Sequence, residues 1–284
     1  MPPAPGSLEG RHTSVVFSDD RQWAGHLVAF VRGGLEKGER VRYFAGTTAP
    51  EQVLRALTGA GVDAAGAVTR GQLSVSVAAQ SCLAGPGSDP DAMIGSWFDE
   101  AEAARAAGYP ALRAISEMSW RAGDVVGADR LLEYELRLHH EVFDRLPLTA
   151  WCFYDRRLMS DAYVNALAGA HVTQRGEPCA GPALRVAPSV DRPGLALSGS
   201  AGYDTRDAVA AAAAVVSSVA AAQPLELDLA ALRHVDAASL AALADAAAAR
   251  PGGTRLKVRQ APSSLRRLLQ LFPEFDSVVE VVDR

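Results

Sequence analysis

Short apolar runs alternate with longer stretches of helical period along the first 170 or so residues. "TSVVF" gives way to "DRQWAGHLVAFVRGGL", where Trp23, Leu27, Phe30 and Val31 recur on one helix face. "RVRYFAG" leads into "APEQVLRALTGAG", with Pro50 early and Gly59 and Gly61 closing the helix. "QLSVSVA" is followed, after "AGPGSDPD", by the helical "AMIGSWFDEAEAARAAG". "ALRAISEMSW" precedes "GADRLLEYELRLHHEVFDRL", and "TAWCFYD" precedes "SDAYVNALAGAH". Repeated strand-helix alternation predicts an α/β fold, a mainly parallel sheet with helices on both faces.

The alternation lapses at Thr173. "TQRGEPCAGPALRVAPSVDRPG" is rich in Gly and Pro and has no period until about Leu184, which predicts a linker over 173–183. The chain is thereby divided into a first domain over 10–172 and a second over 184–284. In the second, "ALRVA", "GLALSGS", an alanine-rich helix, "LELDLAAL", a helix from about Ala237 to Ala249, "TRLKV", "SSLRRLLQLF" and "SVVEVV" follow in turn. The order strand, strand, helix, strand, helix, strand, helix, strand predicts another compact α/β domain.

Composition narrows the function. At 284 residues, 49% hydrophobic, the chain has material for two cores. Lys+Arg 28 against Asp+Glu 33 leaves a net charge of -5, with no general cationic field for nucleic acid. The longest apolar tract, Ala208 to Ala222, is broken by Ser217 and Ser218 and is too short and alanine-rich to span hydrocarbon, so no membrane partner is expected. The first residues show no basic region leading into an apolar core, and the expected location is cytoplasmic. Cys82, Cys152 and Cys179 are too widely spaced for a disulfide framework or a CxxC motif. His139, His140 and Glu141 are adjacent, whereas helix neighbours on one face lie three or four apart, so neither a metal site nor a cofactor is expected.

Parallel α/β domains bind ligands beyond the carboxyl ends of their strands. After "RVRYFAG", a nucleotide-binding loop would end in Lys-Ser or Lys-Thr. The chain has two lysines, Lys37 and Lys257, and a hydroxyl residue follows neither, which argues against a working P-loop. Gly46, Thr47 and Thr48 fit either an anion at a helix N-terminus or an ordinary strand-to-helix turn. Glu117 and Trp120 in "RAISEMSW", with Tyr134 in "LLEYELRL", fit the rim of a small-molecule pocket or a packed core beside solvated carboxylates. Cys152 lies within an apparent strand, which favours a structural thiol over a nucleophile. In the second domain Asp236 stands where it would cap the helix that follows. Ala237 and Ala238 offer no oxygen to phosphorylate, and Ser239 is the remaining hydroxyl.

"LELDLAALRHVDAASLAAL" resembles the STAS domain of anti-sigma-factor antagonists, with its "D-S/T-S/T-G-L" helix start. Asp236 matches the aspartate, Ala237 and Ala238 replace the hydroxyl residues, Ser239 replaces the glycine and Leu240 matches the leucine. The resemblance implies that these five residues dock a partner, an anti-sigma factor or serine kinase, without the usual phospho-switch; Ser239 is the one candidate left for phosphorylation. The first domain resembles the MEDS sensory domain through His12 and its apolar strand, "FVRGGLEKGERVRYF", "GYPALRAISEMSW", "LLEYELRL", "WCFYD" and His171. That resemblance implies a RecA-like fold without a functional P-loop that senses small hydrocarbon-type signals. The expected ligand-binding set is then His12, Gly46, Thr47, Thr48, Glu117, Trp120, Tyr134 and Cys152. The reading is a non-enzymatic signalling protein that senses a small molecule or protein signal and regulates transcription through a docked partner. A RecA-type ATPase and a constitutive, never phosphorylated scaffold are the alternatives. The alanine-rich helices could form a homodimer or pack on their own sheets.

Overall fold

The computed structural model describes residues 10–77, 89–118, 128–189, 193–218, 225–250 and 255–282. Two compact units partition the chain: Met1–Ala128, Leu138–Val164 and Val172–Cys179 form one, and Asp129–Arg137, Asn165–His171 and Ala180–Arg284 the other.

The first unit carries a six-stranded, wholly parallel sheet. Its strands are β1 (His12–Phe17), β2 (Arg40–Ala45), β3 (Leu73–Val77), β4 (Leu112–Glu117), β5 (Leu148–Asp155) and β6 (Thr173–Gly176), in the spatial order β3-β2-β4-β5-β1-β6. All six residues of β1 are buried, as expected of a strand covered on both faces. Helix α1 (Asp20–Glu36) begins where the Asp19 carboxylate accepts from the Gln22 N–H at 2.8 Å. It buries Trp23, Leu27, Phe30 and Val31 in a core with Val15, Tyr43, Ile115 and Phe153. α2 (Pro50–Gly59) and α3 (Ala64–Thr69) add Val53, Leu57, Ala64 and Ala67 to the same core. α4 is Pro90–Ala106; α5 (Ala128–Leu138), of which residues 129–137 fall in the second unit, is continued by a π turn over His139–Phe143; α6 is Asp161–Gly169, its residues from 165 on also in the second unit.

Two differences from the sequence reading have simple causes. The stretch expected as a linker opens with β6, which pairs in parallel with β1. Three of its four residues are exposed, so this edge strand has no apolar alternation to betray it. α3 is six residues of Ala, Gly, Val and Thr, too short to show a period.

In the second unit the strands are β7 (Leu184–Pro188), β8 (Gly194–Ala201), β9 (Glu226–Val235), β10 (Leu256–Arg259) and β11 (Val279–Val282), in the order β11-β10-β9-β8-β7. Only β7 and β8 run antiparallel, because they follow one another without a crossover helix. α7 (Arg206–Ser218), α8 (Ala237–Ala248) and α9 (Ser263–Leu271) supply the crossovers. α7 buries Val209, Ala212, Val215 and Val216, α8 buries Leu240, Leu243, Ala244 and Ala247, and the two helices pack on each other. Their small side chains are thus used within the chain. Among the described residues no helix is long and apolar enough to cross a membrane.

β8 carries register shifts against β9, and at Gly199 φ is +102°. A Cβ there would sit 2.2 Å from the Ala183 carbonyl oxygen, a clash with backbone that no rotamer relieves. Gly199→Ala should therefore lower stability by about 1–3 kcal/mol, read as a reduced melting temperature with unchanged far-ultraviolet dichroism.

Candidate functional site

The carboxyl ends of the parallel strands bring one set of expected residues together. Glu117 ends β4 and is 2% exposed. One of its oxygens, Oε2, accepts the backbone N–H groups of Gly46, Thr47 and Thr48 at 2.7, 3.1 and 3.1 Å. The other, Oε1, accepts from the Tyr43 hydroxyl, which itself accepts from Trp23 Nε1 at 3.0 Å. Three successive N–H groups after a β-strand make a nest for an anion. Here the anion is the protein's own. β2 and β4 are hydrogen-bonded neighbours, so a glutamate at the last position of β4 lies beside the loop that leaves β2. Burial pushes the Tyr43 hydroxyl well above the ordinary range, and the Glu117 charge and hydrogen bond push it further.

Cationic groups at this edge are engaged as well. Arg157 binds Asp155 at 2.7 Å and Asp20 at 2.8 Å, and Arg156 pairs with Asp161 and, at 3.4 Å, with Glu177. Ser18 and Gln22 also donate to Glu177. A phosphate would have to displace a carboxylate at each point.

On the opposite face of the sheet His12 and Cys152 are diagonal neighbours, since His12 is in register with Ala150 and Ser14 with Cys152. His12 Nε2 lies 3.5 Å from Cys152 Sγ, and the imidazole stacks on Phe143 with centroids 4.6 Å apart. Burial lowers His12 to about 3, so the ring is neutral at physiological pH. Tyr134 sits inside α5, not at a strand end, and is 3% exposed, a core residue. That helix is buried at every position from Leu131 to Leu138, Glu133, Glu135 and Arg137 included, so the carboxylates beside Tyr134 are not solvated. Trp120 lies outside the described residues.

In the second unit Asp236 caps α8, its carboxylate accepting the Ser239 N–H at 2.7 Å. Ala237 and Ala238 are exposed, while Ser239 is 4% exposed and Leu240 is buried beneath them. The turn after β8 lies alongside: Asp236 N–H donates to the Ala201 carbonyl at 3.1 Å. It presents Tyr203, 74% exposed, with the Arg206 guanidinium 4.5 Å from its ring centroid. The sequence reading passed over Tyr203; an aromatic residue just after a strand-ending glycine was the signal available.

Two buried residues complete the picture: Glu135 and His171, both fully buried, lie 3.4 Å apart. Close by in the same unit, Arg185 of β7 donates from Nε to the Gly169 carbonyl at 3.0 Å and from Nη2 to the His171 carbonyl at 3.3 Å.

Comparison with known families places these elements. Residues 11–172 match the MEDS profile, described as the methanogen/methylotroph, DcmR sensory domain. The chain belongs to the MEDS family. Residues 184–274 match a STAS domain profile described as "Mlab, STAS domain". A comparison with curated proteins returned no significant match. A MEDS domain joined to a STAS domain indicates a signalling or regulatory role, and both are typically non-catalytic. Glu135, His171 and Gly169 fall within the MEDS match, yet they belong to the compact unit that contains the STAS strands.

Glu117→Gln should cost about 2–3 kcal/mol, because a neutral amide serves three buried donors worse than a carboxylate does. In Glu117→Ala the emptied nest should bind sulfate, so that sulfate raises the variant's melting temperature more than the parent's; equal shifts would show that the loop does not hold its shape alone. The raised Tyr43 pKa means the folded state holds its proton more tightly than the unfolded chain. Its contribution is complete below about pH 10, the unfolded value, and is lost as pH rises from there toward the folded value. Tyr43→Phe should flatten that alkaline loss in a denaturant series across pH 9–11.

Proposed function

We propose that this chain is a non-enzymatic cytoplasmic signalling protein whose MEDS domain senses a small-molecule or protein signal and whose STAS domain docks an anti-sigma factor or serine kinase to regulate transcription. The observation that carries the reading is the surface around Asp236. Asp236 caps the start of α8, Ala237 and Ala238 face outward, and the exposed Tyr203 follows the turn that Asp236 bonds. An exposed aromatic next to a shallow small-residue ledge is the composition of an interface anchor. Two alanines in place of hydroxyls leave a partner kinase nothing to modify, and burial of Ser239 keeps it from serving as a relocated switch. Release of the partner then depends on the sensory domain.

Glu117 supports the same reading against an ATPase. A nucleotide phosphate would find the N–H nest filled and the neighbouring arginines paired. For the sensed ligand to act, it must bind one state of the protein better than another. Arg185, tied to the peptide carbonyls at 169 and 171, offers a route by which a shift in that segment reaches β7.

The purified chain is mixed with the anti-sigma kinase from its own genome, with and without ATP, and complex formation and intact mass are followed. A stable complex with no added phosphate is expected. Tyr203→Ala and Ala238→Arg should each weaken it by about tenfold or more without lowering the melting temperature, since both positions are exposed. Absence of any complex sinks the anti-sigma reading; phosphate added to the chain sinks the switchless one.

A further inference from the structure

In an α-helix, successive residues point about 100° apart, which is why His139 and His140 do not read as joint ligands in sequence. The π turn changes this. Its ring is closed by the Asp144 N–H donating to the His139 carbonyl at 3.2 Å, five residues back, and the extra residue in the turn brings position 144 round beneath 139. Both Val142 and Phe143 point into the core as a result. His139, His140 and Asp144 each offer a ligand atom, and these atoms all lie within 4.8 Å of one another. The two imidazoles stand edge to face, centroids 4.7 Å apart, and His140 Nδ1 lies 3.0 Å from Asp144 Oδ2.

His139 is 1% exposed, and among the described residues neither of its ring nitrogens has a hydrogen-bond partner. A buried imidazole with both nitrogens unsatisfied demands an explanation. We propose that His139, His140 and Asp144 bind a divalent first-row transition-metal ion, of the zinc or iron(II) class, with further coordination positions open. Two imidazoles and one carboxylate are the donor set of open sites for such ions. Burial holds His139 at about 3, so its lone pair is available at neutral pH. Burial works to raise the Asp144 carboxyl, but the His140 hydrogen bond outweighs it and, with Arg11 nearby, holds the carboxyl below its ordinary value. Side-chain exposure rises from His139 through His140 to Asp144, at 16% and 39% for the last two, which gives an ion a path in from solvent. Arg11 faces the cluster, but its guanidinium is held by the Leu146 and Leu148 carbonyls. Ligand atoms on one tetrahedral ion are about 3.3 Å apart, a contraction within the range of side-chain rotation.

The site lies just before β5, at the amino ends of the strands, away from Glu117. Its occupant would fix the π turn and hence Phe143, whose ring stacks on His12. The metal is tested directly with cobalt(II). The full-length chain, stripped with chelator, is titrated with Co²⁺ and followed by visible absorption. Ligand-field bands saturating near one equivalent, without a thiolate charge-transfer band, are expected. His140→Ala and Asp144→Ala should each weaken binding by about tenfold or more with dichroism unchanged, and Cys152→Ser should leave it intact. No bands, a thiolate band, loss of binding in Cys152→Ser, or unchanged affinity in both His140→Ala and Asp144→Ala would overturn the site.

Discussion

A buried carboxylate with three backbone N–H groups on one oxygen and a tyrosine hydroxyl on the other constrains the whole upper edge of the first sheet. Glu117 joins the end of β4 to the loop after β2, and through Tyr43 and Trp23 it reaches α1. An ionised group in such a place is tolerated only when every lone pair is answered. The loop at 46–48, the register of β2 on β4 and the seating of α1 are therefore mutually dependent. None can shift without leaving a charge or a row of donors bare.

That dependence also decides what this edge of the domain is for. In phosphate-binding folds the same row of amides waits for a ligand. Here it is satisfied during folding, so the geometry that elsewhere serves chemistry has become part of the frame. Arg156 and Arg157 tell the same story from the opposite charge. The other face of the sheet sets a neutral His12 against Cys152, and in the STAS domain the start of the helix after Asp236 leaves Ala237 and Ala238 exposed.

The fold was legible wherever period and punctuation agreed. The sequence of elements in the STAS domain, the cap at Asp236 and the parallel sheet all follow from apolar spacing and a short polar side chain at a helix start. The pairing of Glu117 with Gly46, Thr47 and Thr48 was not, although every member had been singled out, because sequence separation of about seventy residues hides contacts that only sheet order creates. The π turn was invisible for a deeper reason: one extra residue in a turn leaves no mark on composition. It brings Asp144 round to His139, a pairing that lies outside the run of His139, His140 and Glu141 weighed from sequence.

Arg185 has a consequence for how far the two halves are separable. One family match ends at residue 172 and the other begins at 184, as if they were beads on a string. The guanidinium of the first STAS strand nevertheless closes two peptide carbonyls at the end of the MEDS match, and residues 129–137 and 165–171 cluster with the STAS strands. A fragment cut at the family boundary would expose those carbonyls and strip the sheet of segments it folds with. Sensor and output share covering, so neither is a cassette that recombination could graft onto another chain without re-forming that surface.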